Sequence, residues 1–176
     1  MKDFLIVVDM QKDFVDGSLG TPEAQAIVEN VVQKIKNHKG PIIATLDTHE
    51  TNYLDTAEGK KLPVVHCVRN TPGWLLDARV AKALSGRKCI SVEKKTFGSV
   101  DLPRLLTDIA DGEPFRIEMI GLCTDICVVS NALLLKAHFP EADISVDARC
   151  CAGVTPEAHR ATLLVLQSCQ IDVIED

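Results

Sequence analysis

Residues Phe4 to Asp9 read FLIVVD, an unbroken apolar run closed by an acid. A strand with one wet face alternates apolar and polar side chains, whereas a strand apolar at every position must be covered on both faces. FLIVVD therefore predicts a central strand of a parallel sheet. A second buried strand is expected in PIIATLD (Pro41 to Asp47), and further strands in KCISVEK (Lys88 to Lys94), RIEMIGLC (Arg116 to Cys123), DISVD (Asp143 to Asp147) and IDVIE (Ile171 to Glu175). Helical patterns lie between them. The first has Thr21 as cap, Pro22 in its opening turn, apolar residues at Ala24, Ile27, Val28, Val31 and Ile35, and Gly40 just beyond its end. Others are predicted over Trp74 to Leu84, Leu102 to Ile109, Asp125 to Ala137 and Pro156 to Gln167. Strand and helix alternate throughout, with no repeats or linkers. The expectation is an α/β fold: a single-domain, three-layer αβα sandwich over residues 1–176, around a doubly wound six-stranded parallel sheet of order 3-2-1-4-5-6.

The stretch from Thr48 to Thr71 is the exception, a long, polar, irregular segment of the kind that carries function or stays disordered. The chain of 176 residues has a net charge of −6 and no Lys/Arg cluster, which argues against binding nucleic acid. No apolar run is long enough to span a membrane, and MKDFLIVVDM reads as a strand leading to a carboxylate rather than a signal peptide. A cytoplasmic protein acting on a small neutral or polar molecule is expected, without membrane partners and compatible with a homo-oligomer. The seven cysteines are odd in number and mostly in apolar surroundings, so they read as small hydrophobes in a reducing compartment rather than a disulfide framework.

In a sheet of this order, ligands bind beyond the carboxyl ends of the strands at the switch point between strands one and four. Asp9 ends strand one, and CTDIC (Cys123 to Cys127) follows strand four. Cys127 would fall in the first helical turn after a Thr-Asp cap, where free amides and the helix dipole stabilise a thiolate. Cys123 reads as packing. A zinc clip fits poorly, since no second Cys or His pair stands at suitable spacing. Across the switch point, apolar-flanked Asp9 suits a general base, against the simpler reading of a turn acid. Lys94 and Lys95 end strand three, where a lysine would stabilise both carboxylate and thiolate, against the commoner fate of a solvated lysine.

Taken together, VVDMQKDF (Val7 to Phe14), EKKTFGS (Glu93 to Ser99) and GLCTDICV (Gly121 to Val128) resemble the isochorismatase-like cysteine hydrolases, and within them the nicotinamidases. The resemblance runs from Phe4 almost to the C-terminus. It implies an amidohydrolase with an Asp9-Lys94-Cys127 triad, converting nicotinamide to nicotinate and ammonia through a cysteine thioester in NAD salvage. The alternative within the family is a cysteine amidase acting on another small amide. Lys94 rather than Lys95 corresponds to the family lysine, which stands three residues before an aromatic, here Phe97. The resemblance also implies a cis peptide between Leu122 and Cys123, and an oxyanion hole from the backbone amides of Cys123 and Cys127.

The long polar stretch offers Asp47 and His49, two apart and so on one side of an extended segment, and then His66. Such ligands suit zinc, manganese or iron, against a reading as loop polar residues without metal. By the resemblance a divalent transition metal, zinc first, would hold the pyridine nitrogen of the substrate. Many nicotinamidases have a further His between those corresponding to His49 and His66. This chain has none, and Glu58 is taken as that ligand with Asp55 second. Phe14 follows the catalytic Asp as an aromatic that stacks on a substrate ring or packs in the core. Trp74 is expected to start a helix, His159 to lie at a surface or cap, and His38 and His138 to be helix-end histidines. A Rossmann-like nucleotide-binding module is the reading from another class. It is disfavoured because DMQKDFVDG replaces G-x-G-x-x-G after strand one and no phosphate-loop motif occurs.

Overall fold

The computed structural model describes residues 1–175. Six strands, β1 (Lys2–Val8), β2 (Ile42–Asp47), β3 (Cys89–Lys94), β4 (Phe115–Leu122), β5 (Asp143–Ala152) and β6 (Asp172–Ile174), form one sheet in the order β3-β2-β1-β4-β5-β6. Every neighbouring pair is parallel, as expected. The alternation of β1 divides its apolar run between two cores. Leu5 and Val7 pack on one face with α2 (Pro22–Asn37) and α4 (Ala78–Leu84). Phe4, Ile6 and Val8 pack on the other with α5 (Leu102–Ala110), α6 (Val129–His138) and α7 (Pro156–Ser168). Helix α2 begins as its sequence indicates, with the Thr21 hydroxyl accepting from the Ala24 amide at 3.0 Å.

The register places Val8 beside Thr45 on one side and Gly121 on the other. Gly121 has φ of +121°, and a Cβ there would stand 2.1 Å from the Val8 carbonyl oxygen. Only glycine lets β1 and β4 close this tightly, immediately before Asp9 and Cys123 leave their strands.

Several boundaries differ from expectation. Strand β5 runs to Ala152 rather than ending at Asp147. The ladder to β4 shifts register between Met119 and Gly121, and Arg149 folds back onto the Asp147 carboxylate. The strand then continues through Cys150 and Cys151, which are buried in opposite cores as small hydrophobes. All seven cysteines are free. The helix expected from Trp74 starts at Ala78, because Asp77 donates its amide to the Met10 carbonyl and its carboxylate caps the Arg79 amide. The stretch from Thr48 to Thr71 is also more ordered than its composition implies. It holds a 3-10 turn at Tyr53–Asp55 and a short helix α3 (Ala57–Lys61) capped by Thr56. One further short helix, α1 (Lys12–Val15), follows β1. His38 caps the end of α2 and bonds the Asp3 carbonyl, and His138 lies in the last turn of α6. No helix among the described residues is long and apolar enough to cross a membrane.

Helix α2 is tied to β5 by Lys34, whose ammonium lies 2.6 Å from buried Asp147 and 2.5 Å from Glu118. Burial works to raise the Asp147 carboxyl, but Arg149 and Lys34 outweigh it and hold it below its ordinary value. A carboxyl held low contributes stability above its unfolded pKa, and that contribution is lost as pH falls through the folded one. Lys34→Met should cost about 1–3 kcal/mol near pH 7, since a buried acceptor loses a partner while Arg149 remains. Urea denaturation should show that cost shrinking below about pH 4, as the carboxyl protonates in both states. A cost independent of pH would assign it to helix packing instead.

Candidate active site

At the carboxyl end of the sheet, Asp9, Lys94 and Cys127 converge. Asp9 leaves β1 with φ of +46° and is fully buried. Its carboxylate accepts from the Thr45 hydroxyl at 2.6 Å, and its amide donates back to the same hydroxyl at 3.2 Å. Lys94, the last residue of β3, points its ammonium inward, 2.6 Å from Asp9, 3.3 Å from Asp47 and 3.4 Å from the Cys127 sulfur. It also donates to the Thr96 carbonyl at 3.1 Å. Lys95 is exposed.

The charges explain one another. Burial alone would lower the Lys94 pKa, yet Asp9, Cys127 and Asp47 offset it and hold the ammonium above its ordinary range. Burial raises the Asp9 carboxyl, which Lys94 partly counters. Burial also pushes the Cys127 thiol well up, and the charge of Asp9 adds to this while Lys94 opposes it. Burial and Asp9 thus work against the thiolate that a helix start was expected to stabilise, and Lys94 works for it. Residues Thr124–Val128 form a π turn without a side-chain cap, not the first turn of an α-helix. Thr124 is instead hydrogen-bonded to His159 at 2.8 Å, and Asp125 accepts from the Val154 amide. His159 is thus half-buried behind the turn rather than a surface histidine. The Leu122–Cys123 peptide is cis. The Cys123 carbonyl accepts from the amides of Ile126 and Val128, on either side of Cys127.

Asp47, His49, Glu58 and His66 form a second cluster, with one donor atom of each within 4.8 Å of the others. His49 Nε2 lies 2.9 Å from Asp47 and 3.6 Å from Glu58, and His66 Nε2 lies 3.5 and 3.8 Å from the same carboxylates. Asp55 is exposed and outside the group. His66 Nδ1 is 2.8 Å from the Val64 carbonyl, which needs a proton on that nitrogen, so that in the neutral ring Nε2 offers its lone pair to the cluster. His49 Nε2 is buried without a hydrogen-bond partner, despite its proximity to Asp47. Two imidazole nitrogens and two carboxylates converging around an orphaned buried donor fit a divalent transition metal. Burial would raise Asp47, but His49, His66 and Lys94 hold it below the usual carboxylate range.

Several supporting residues escaped the sequence reading. Gln11 is fully buried and clamps the backbone of Asp47, donating to its carbonyl and accepting from its amide, both at 2.8 Å. Tyr53 packs its ring 4.6 Å from that of His49 and 4.9 Å from that of His66. Asp13 accepts from the Cys67 amide and so fastens the end of the polar stretch to α1. Trp74 donates to the Thr48 hydroxyl rather than opening a helix. The available signal was weak: each is a polar or aromatic residue next to a motif, without a spacing that reveals its partner.

Both clusters open onto one cavity of about 330 Å³. Cys127 and Cys123 line one part, Asp47, Glu58 and His66 another, and Phe14 and Phe97 supply the aromatic walls. Phe14 stands 5.5 Å from the His66 ring, while Phe97 is 41% exposed. Cys123 packs against the core as expected and also lines the cavity.

The family model for the isochorismatase domain matches residues 3–175. A search of curated protein sequences finds no match. Among solved structures, the nicotinamidase/pyrazinamidase of Bacillus subtilis superposes with a TM-score of 0.84 at 25% identity, covering 99% of this chain and 100% of that one. The pyrazinamidase of Pyrococcus horikoshii in complex with zinc gives 0.81 at 26% identity, covering all of both chains. The N-carbamoylsarcosine amidase of Thermoplasma acidophilum, at 24% identity and a TM-score of 0.77 over 99% of this chain and 96% of that one, shares the fold.

Proposed function

The chain belongs to the isochorismatase family, as a cysteine-hydrolase amidase, and from that premise we propose that it is a nicotinamidase. The observation that carries this reading is the single cavity bordered both by Cys127 and by Asp47, Glu58 and His66, three of the four residues of the donor set. A substrate with a reactive carboxamide and a ligating ring nitrogen uses both ends at once. Phe14 and Phe97 flank the space between them. The relatives whose names include nicotinamidase or pyrazinamidase support the same substrate class.

In this reading the Cys127 sulfur attacks the carboxamide carbon while its proton passes to Asp9. Burial, which raises the carboxyl, favours that transfer. Lys94 balances the carboxylate and the developing thiolate. The amides of Cys123 and Cys127 serve as donors to the tetrahedral oxyanion. Asp9 returns its proton to the departing nitrogen, and ammonia leaves a thioester. Water then attacks the thioester carbon, its proton passes to Asp9, and the sulfur leaves and is reprotonated. Nicotinate and free thiol result. Asp47, His49, Glu58 and His66 would hold the metal, zinc in this proposal, which supplies a Lewis-acid face for the pyridine nitrogen.

Ammonia release from nicotinamide, pyrazinamide, benzamide and isobutyramide tests the substrate, alongside elemental analysis of protein purified without chelator or histidine tag. Stoichiometric metal and preference for the two azine amides are expected. His49→Ala should lose the metal and raise KM for nicotinamide by about tenfold or more, yet leave Cys127 reactive towards iodoacetamide. Glu58→Ala should weaken metal retention less, since water can fill its position. A protein without metal, and not activated by zinc, manganese or iron, would be a cysteine amidase for another small amide.

A further inference from the structure

The strand that ends at Lys94 runs into a strap, Thr96 to Ser99, which reaches the segment carrying Cys127 through one side chain. Asn131 is fully buried on α6, and its amide is spent entirely on main-chain groups. Its nitrogen donates to the Cys127 carbonyl at 2.7 Å and to the Phe97 carbonyl at 3.1 Å. Its oxygen accepts from the Ser99 amide at 2.8 Å. Ser99 is itself buried, and its hydroxyl has no partner, so its polar tie to this region is the amide held by Asn131. A Cβ added at Gly98 between them would stand 3.5 Å from the Ser130 carbonyl oxygen, so the strap passes close to α6 here without a specific bond. At its other end the strap is held by the Lys94 ammonium through the Thr96 carbonyl.

We infer that Asn131 is a positioning residue, which sets the strap bearing Phe97 against the Cys127 turn and thereby fixes the width of the cavity between them. The inference rests on the reading of the cavity as the amide site, and adds to it a residue that touches neither substrate nor metal. The chemistry suits the task. A carboxamide offers two donor hydrogens and an acceptor in one plane, so a single buried side chain joins three main-chain groups from two segments. Truncation removes this partner from all three, and the bonds to the Cys127 carbonyl and the Ser99 amide are buried away from water.

Three variants separate this role from a helix-start bond alone. Asn131→Ala removes every tie. Asn131→Thr keeps the bond to the Cys127 carbonyl, because a threonine hydroxyl in a helix donates to the carbonyl four residues back, but releases the strap. Asn131→Asp keeps an acceptor for the Ser99 amide. Kinetics use the fastest of the four amides named above. Asn131→Ala and Asn131→Thr should both raise KM about tenfold with a smaller fall in kcat, measured on the folded fraction. Hydrogen exchange supplies the readout that needs no substrate. The Ser99 amide should lose protection in Asn131→Ala and Asn131→Thr and keep more of it in Asn131→Asp, while amides in β1 and β4 stay protected. If Asn131→Thr behaves as the parent protein in both measurements, the strap tie is irrelevant and the inference fails. Unchanged KM in Asn131→Ala after correction for unfolding also overturns it, leaving a purely structural asparagine. If the parent protein turns over none of the amides, the proposed function falls, and the exchange pattern alone decides whether Asn131 holds the strap.

Discussion

Cys127→Ala should abolish amide turnover, by about 10⁴-fold or more, while Cys123→Ala retains substantial activity. Both cysteines border the cavity, so access to it does not separate them. Charge does. The Lys94 ammonium is 3.4 Å from the Cys127 sulfur, and Asp9 stands beside it to take the proton. The Cys123 thiol is pushed up to about 12 by burial, with Asp125 and Asp9 adding to the shift and Lys94 giving only a minor opposing pull. In the proposed mechanism Cys123 contributes its backbone amide, which alanine keeps. Mass spectrometry after treatment with a thiol-reactive amide analogue should find Cys127 modified first. Modification of Cys123 first, or loss of activity in Cys123→Ala equal to that in Cys127→Ala, would reverse the assignment.

The second large effect is at adjacent lysines. Lys94→Ala should lower turnover by about 10²–10⁴-fold, and Lys95→Ala by less than about twofold. Neighbours in sequence point to opposite sides of a strand end, and the structure buries the first and exposes the second. Without the Lys94 ammonium, buried Asp9 loses the cation 2.6 Å away that offsets its burial. Its carboxyl is then raised further, and an Asp9 that already holds a proton is no base for Cys127. The same loss threatens folding, so Lys94→Met, which keeps the stem packed, is the companion variant. Steady-state rates on folded protein decide the matter. Comparable losses at Lys94 and Lys95 would undo the assignment made through the spacing to Phe97.

Periodicity and local chemistry made the scaffold legible. An apolar run such as FLIVVD can be satisfied only by cover on both faces, and alternation with helical patterns leaves few arrangements for six parallel strands. The strand ends carried Asp9, Lys94 and CTDIC, and a parallel sheet gathers its strand ends on one side. The convergence of those residues follows from topology. Asp47, His49, Glu58 and His66 were likewise visible as residue types, although nothing in the spacing of Glu58 separates it from Asp55.

What the sequence by itself determined was the order of the elements, their covered faces and the end of the sheet where chemistry collects, because these depend on patterns within a few residues of one another. Tertiary structure alone decided what depends on groups far apart in the chain. The continuation of β5 past Asp147 requires the register shift against β4, and the helical structure between Thr48 and Thr71 places Glu58 against two histidines. The environment of the Cys127 thiol is the clearest case. A helix start lowers a thiol pKa, but desolvation and the facing Asp9 raise it, and desolvation is set by every atom that packs around the sulfur. Gln11 and Asn131 obey the same reason: each is an ordinary polar side chain until folding brings main-chain groups from another segment within reach of its amide.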